Sequence, residues 1–101
     1  MESLFVYGTL RDPRVQKKAM GRAVKGMPGV LVGFRKTRVK IDGEFYPIIK
    51  RSPGSSVKGI ALLVTRKELL LLDDWESENY GRKKVRLKSG KSAWVYRRPE
   101  D

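Results

Sequence analysis

Residues 69–82 read LLLLDDWESENYGR, and the spacing inside this run sets an acid among apolar neighbours. Leu69, Leu72 and Glu76 are separated by three and then four residues, so they share one face of any helix that persists that far. A carboxylate buried without a partner is costly and its pKa rises, which is how proteins make a glutamate accept or donate a proton near neutral pH. Other acids have local duties: Glu68 in a capping box, Asp12 at a helix N-cap, Asp42 in a hairpin turn, with Glu2, Glu100 and Asp101 near the ends. Glu44, Asp73, Asp74, Glu76 and Glu78 remain. Asp73 also shares the Leu69 face but lies a turn earlier, whereas Glu76 arrives where the helix ends and a pocket can open, with Glu78 as its alternative. The competing reading has Glu76 escaping into solvent or pairing with Arg82.

A second stretch, Tyr7 to Arg11 (YGTLR), takes the chain from a strand through a glycine turn into a helix. Successive backbone N–H groups in such a turn can converge on an anion. Gly8 permits close approach to the backbone, and Thr9 adds a hydroxyl. The plainer reading is a strand-to-helix turn with no ligand.

The elements that must position these two stretches follow from pattern. Leu4 to Tyr7 reads as a buried strand, and Asp12-Pro13 as the N-cap and first residue of a short helix through Val15, Ala19 and Ala23, broken by Gly21 and Gly26. After a loop at 26–29, GVLVGF and TRVKI read as strands, with Asp42-Gly43 as the hairpin turn. The returning strand, 44–50, contains Pro47, which fits an edge, a bulge or a strand end. SPGSS reads as a surface turn, followed by a strand over 57–64. Thr65 and Glu68 then open the leucine helix. Segments 82–88 and 92–97 alternate as strands around Ser89-Gly90, with Trp94 and Tyr96 on one side, and 99–101 look frayed. The fold class predicted is α+β: a small, mostly antiparallel barrel of five to six strands with two short helices, in one domain spanning 1–101.

Composition removes whole classes of chemistry. The 101 residues include no Cys and no His, which excludes disulfides, thiolate catalysis and histidine-based triads, so proton transfer falls to a carboxylate, Lys, Tyr or water. Twenty-three Lys and Arg against eleven Asp and Glu give a net charge of +12, which favours anionic partners. No apolar run is long enough for a membrane span or a signal segment, so a soluble cytoplasmic protein is expected.

YGTLR after the first strand, the Tyr46-Pro47 pair, and LDDWES-x2-Y-x-R together resemble the gamma-glutamylcyclotransferase-like superfamily, in its gamma-glutamylamine cyclotransferase and avirulence-induced-gene-like branch. The resemblance runs in order over nearly the whole chain. It implies a small mixed barrel with helices, in which Tyr7, Gly8, Thr9 and Leu10 bind a γ-glutamyl group and Glu76 is the catalytic acid/base. Tyr46, Pro47, Tyr80 and Arg82 match the remaining motif positions and are carried over as substrate-binding residues. The implied reaction closes the γ-glutamyl group to 5-oxoproline and releases an amine, with no cofactor and no metal. Loop amides, with Tyr7 or Tyr80, would hold the substrate carboxylate or the developing oxyanion.

Two positions depart from the family pattern. Ser77 stands where Gly commonly follows the glutamate, restricting the turn, and Ile48 stands where a small residue follows the Tyr-Pro pair, which would shrink the pocket. The alternative function is a non-catalytic small barrel binding a γ-glutamyl-like ligand or, weakly and non-specifically, nucleic acid. For the latter, Arg35, Lys36, Arg38, Lys40, Lys83, Lys84, Arg86, Lys88 and Lys91 supply a basic surface near Trp94 and Tyr96. A monomer or homodimer with a small-molecule γ-glutamyl partner is the expected assembly.

Overall fold

A computed structural model describes residues 1–98 of the chain; the expectation of fraying at 99–101 lies outside the described residues. Five strands are present: β1 (Glu2–Val6), β2 (Met27–Ile41), β3 (Glu44–Val64), β4 (Gly81–Arg86) and β5 (Ser92–Arg97). Helix α1 (Pro13–Met20) follows β1 through a 3-10 turn at Thr9–Arg11, and helix α2 (Arg66–Glu76) is followed by a second 3-10 turn at Ser77–Asn79. The sheet order is β2-β3-β1-β5-β4, antiparallel throughout except where β1 runs parallel to β5. Its two ends curl toward each other, and the Lys88 amide just after β4 donates to the Val30 carbonyl of β2 at 2.8 Å. The result is the half-barrel form of the expected fold.

Alternation along β1 divides the core. Leu4 and Val6 face the helices, where they meet Leu62, Val64, Leu69 and Leu72, while Phe5 and Tyr7 face the inside of the curl with Leu31, Ile49, Val57 and Val95. The helix ends are set by local chemistry. The Asp12 carboxylate accepts the Arg14 amide at 2.9 Å with Pro13 as the next residue, and α1 stops at Gly21, whose φ of 92° suits only glycine at low cost. Ala23, which fits the helical spacing, lies beyond that stop. At α2 the Thr65 hydroxyl and Glu68 carboxylate exchange hydrogen bonds with each other's backbone amides. Glu68 carries a second duty that local pattern does not reveal: it binds the Arg22 guanidinium through two oxygens, joining α2 to the chain after α1.

The largest correction concerns the hairpin. Two strands expected on each side of Asp42-Gly43 are single long strands, and β2 already begins at Met27 rather than after a loop. Pairing runs unbroken from Phe34 opposite Arg51 to Ile41 opposite Glu44, so the ladder overrides weak local signals at Arg35-Lys36. Pro28 is tolerated because β2 lies at the end of the sheet. The SPGSS stretch is an insertion in β3: Val32 pairs with Ser56 and Phe34 with Arg51, so residues 52–55 bulge opposite Gly33. Pro47 stands in the part of β3 beyond its pairing with β1, an edge as its missing N–H requires.

Candidate active site

The last turn of α2, the turn after β1 and the cavity-facing side of the β2–β3 hairpin enclose a cavity of about 410 Å³. From the first come Trp75 and Glu76, from the second Tyr7, Gly8, Thr9 and Leu10, and from the third Ile41, Tyr46 and Pro47; Ser77, Asn79, Tyr80 and Tyr96 complete the wall near Glu76. No Lys or Arg lines it among the described residues, although the chain carries twenty-three.

Glu76 is the final residue of α2, on the same face as the buried Leu69 and Leu72. Its carboxylate has no hydrogen-bond or ion-pair partner among the described residues, and burial alone pushes its pKa up to about 7. Asp73, one turn earlier, meets the opposite fate. Arg82 grips it with Nε and Nη2 at 2.7 and 3.0 Å, and the Tyr96 hydroxyl donates to its Oδ1 at 2.7 Å. Burial by itself would raise the Asp73 pKa, but Arg82 and Tyr96 outweigh it and hold the group below its usual range. Glu78, the alternative to Glu76, is exposed and off the cavity wall, as is Asp74.

The turn after β1 is fixed by its own carbonyls. Gly8 accepts the amide and the Nε of Arg11, each at 3.1 Å, and Thr9 accepts the Asp12 amide at 3.0 Å. The leading amides of such a turn, those of Thr9 and Leu10, have no acceptor inside it. Gly8 packs against Pro47 so closely that an added Cβ would lie 3.0 Å from the proline Cγ. This contact ties the first sequence motif to the second.

Eight of the nine residues expected to form the site line one cavity: Tyr7, Gly8, Thr9, Leu10, Tyr46, Pro47, Glu76 and Tyr80. Arg82 does not. Its guanidinium faces away from the cavity, clamped on Asp73 and stacked 4.4 Å over the centre of the Trp94 ring, so it is not the partner of Glu76 either. Burial and the carboxylate of Glu76 both raise the Tyr80 pKa, and its hydroxyl is committed to the Pro47 carbonyl at 2.8 Å. The Tyr7 hydroxyl donates to the Tyr96 carbonyl at 2.7 Å. Neither phenol therefore has its proton available for an oxyanion, contrary to expectation. Ile48 is buried outside the cavity wall and does not narrow it. Ser77 does line it, with a φ of 61° and ψ of −165°, a backbone region that disfavours any side chain.

Tyr96 is the residue that sequence reasoning missed. Alternation placed it with Trp94 on one side of β5 without saying what that side would meet. As for the basic surface, Arg82 and Lys84 stand over the Trp94 ring, whose Nε1 donates to Glu2 at 2.9 Å, and Tyr96 is buried, so neither aromatic is an open stacking platform. Among the described residues no three acidic side chains cluster as a metal site would require, and no helix is long and apolar enough to cross a membrane.

Comparison with known proteins identifies the family and the fold. Residues 4–101 match the family model described as gamma-glutamyl cyclotransferase, AIG2-like. AIG2-like protein C of Arabidopsis thaliana is 38% identical over 85 residues, covering 83% of this chain and 48% of that protein, and AIG2-like protein A of the same plant is 36% identical over 83 residues, 81% of this chain and 49% of its own. The chain spans about half the length of the curated relatives it matches. A solution structure of an Arabidopsis thaliana protein superposes with a TM-score of 0.83 at 30% identity, covering 97% of this chain and 68% of that one. A structure titled gamma-glutamyl cyclotransferase shares the fold, with a TM-score of 0.76 at 20% identity over 96% of this chain and 66% of that one. The chain belongs to the gamma-glutamyl cyclotransferase, AIG2-like family.

Proposed function

We propose that this member of the gamma-glutamyl cyclotransferase, AIG2-like family cyclises a γ-glutamyl group to 5-oxoproline and releases an amine, with Glu76 as general acid/base. The observation that carries the reading is the Glu76 carboxylate: half-buried, with no hydrogen-bond or ion-pair partner among the described residues, poised near neutrality, and in one cavity with the turn at Tyr7 to Leu10. Family membership supports this reaction class, and the chemistry follows from the groups at hand.

The substrate brings an α-carboxylate, an α-ammonium and a γ-carbonyl. Ionised Glu76 takes one proton from the ammonium, and the freed nitrogen attacks the γ-carbonyl carbon of the same molecule. The new C–N bond closes a five-membered ring and pushes the carbonyl electrons onto oxygen. As the C–N bond to the leaving amine breaks, the neutral carboxyl of Glu76 returns its proton to that nitrogen, the ring nitrogen gives up its extra proton to the departing amine or to water, and the carboxylate is restored. Because the attack is intramolecular, the cavity has mainly to hold a folded conformer. The Thr9 and Leu10 amides and the Thr9 hydroxyl are the donors suited to the α-carboxylate or the oxyanion. We place this activity in the cytoplasm, on a small γ-glutamyl amide.

Incubation with a panel of γ-glutamyl amides should yield 5-oxoproline and the matching amine in equal amounts. Glu76→Gln should abolish turnover while ligand binding persists. Turnover unaffected by Glu76→Gln but lost in Glu78→Gln would defeat the assignment.

A further inference from the structure

Twenty-three Lys and Arg give the chain its charge, and none of them lines the cavity among the described residues. Part of that charge is gathered on the arm of the β2–β3 hairpin, residues 34–51, which extends beyond the pairing with β1. Residues opposite each other in a ladder share a face, so the rungs Phe34–Arg51, Lys36–Ile49, Arg38–Pro47 and Lys40–Phe45 set Lys36, Arg38, Lys40 and Arg51 on one side. No Asp or Glu stands on these rungs. The acids of the arm, Asp42 and Glu44, sit at its tip, and Glu44 accepts the Tyr46 hydroxyl at 3.0 Å. All four cations are exposed, and none forms an ion pair with a described residue.

Strand geometry spaces alternate residues about 6.6 Å apart, so Lys36, Arg38 and Lys40 form a row of positive charge about 13 Å long. At the base of the row Lys36 shares a shallow groove with Arg11, Thr9, Pro47 and Ile60, and burial and the Arg11 charge both lower its pKa. Asp12, the acid of that groove, is bound to Arg14. Two like charges held against one groove are relieved by an anion between them. At the other end stands Phe45, 61% exposed, with the Arg38 guanidinium and the Lys40 ammonium 5.3 and 5.8 Å from its ring centre. A row of cations that ends on an exposed ring matches a partner with regularly spaced anions and flat faces, which describes a single nucleic-acid strand. A duplex keeps its bases stacked and offers Phe45 no face. We propose that this side of the arm binds single-stranded nucleic acid without regard to sequence, with Arg11, Lys36, Arg38 and Lys40 on phosphates and Phe45 stacked on a base. The surface is separate from Trp94 and Tyr96, whose rings are covered or buried, and neither its cations nor Phe45 lines the cavity.

Fluorescence anisotropy of a labelled oligothymidylate of about twelve nucleotides, titrated with the protein over a range of salt concentrations, reads charge and stacking separately. Wild-type affinity should fall linearly with salt on logarithmic axes. Lys36→Thr/Arg38→Thr/Lys40→Thr should weaken binding at least about tenfold at low salt and reduce the slope by about 2, at about 0.7 for each lost phosphate contact. Phe45→Ala should weaken it about tenfold with the slope unchanged, the mark of stacking. Lys83→Thr/Lys88→Thr/Lys91→Thr removes the same charge from the β4–β5 hairpin and should keep the slope, with affinity within about threefold of the wild type. Should the triple arm variant not fold, Arg38→Thr alone reads the same slope, with a fall of about 0.7. Equal losses in the two triple variants would assign the binding to diffuse charge. Arm substitutions that weaken binding to a duplex or to vesicles of anionic phospholipid, but not to the strand, would assign the face to another partner. Either result, an unaffected Phe45→Ala, or no binding of the strand at low salt overturns the proposal.

Discussion

Asp73 and Glu76 leave the same helix three residues apart, yet one lies in a closed corner and the other in an open cavity. In the corner the carboxylate is paired: Arg82 and Tyr96 bond it, and Trp94 covers the guanidinium. In the cavity Glu76 has no partner among the described residues, and the same desolvation that is overridden at Asp73 acts alone. A carboxylate that is fully paired is a structural group with its proton gone. One that is desolvated and unpaired keeps its proton near neutrality and can exchange it, so the difference between the two is the difference between scaffold and chemistry.

The sharpest way to break this contrast is to remove the titrating group. Glu76→Gln should reduce 5-oxoproline formation by at least about a hundredfold, the usual scale for general acid/base catalysis, and Glu78→Gln, on an exposed residue, should leave it nearly unchanged. The same substitution tests burial through stability. The folded-state pKa of Glu76 is raised from 4.5 to about 7, so the native protein holds this proton more tightly than the unfolded chain does. Its contribution is fully present below about pH 4.5 and is lost as pH climbs through about 7, a change worth about 3 kcal/mol for a shift of this size. Denaturant melts of the wild type and Glu76→Gln should therefore diverge by up to that amount above pH 7, with the variant more stable, and converge at pH 4.

The corner should respond differently. Arg82→Leu leaves Asp73 without its cation in a partly buried place, and a loss of about 2 kcal/mol is expected, between the values for exposed and fully buried pairs. Asp73→Asn with Arg82→Leu should recover part of that loss, and a double-mutant cycle measures how much. The smallest effect is at Ser77, whose positive φ costs stability next to Glu76. Ser77→Gly should raise stability by about 1 kcal/mol in thermal or denaturant melts, and an unchanged or lower midpoint would show that the backbone there is unstrained.

Much of this was legible in the sequence because it is decided within a few residues. The Asp12-Pro13 start of α1, the Thr65–Glu68 capping box and the Asp42-Gly43 turn each depend on groups less than a turn apart, so pattern finds them. Spacing also put Glu76 on the buried face of its helix. Spacing alone could not choose among a cavity, open solvent and an ion pair with Arg82, and it gave no reason to prefer Asp73 as the partner of that arginine. The continuity of β2 and β3 was hidden for a related reason: a ladder of cross-strand bonds outweighs the turn preferences of SPGSS and Met-Pro-Gly, and its partners are remote in the chain.

By itself the sequence determined the chemistry on offer: no thiol, no imidazole, a large positive charge, and two acids on the leucine face of a well-capped helix, Asp73 and, at the helix end, Glu76. Only the tertiary structure decided that Glu76 would be left without a partner among the described residues while Asp73 was paired, and that four tyrosines from distant segments would line one cavity with their protons already given to the protein. The reason is physical. Helix periodicity and caps are set by near neighbours, whereas desolvation and hydrogen-bond partners depend on which distant strands close over the site.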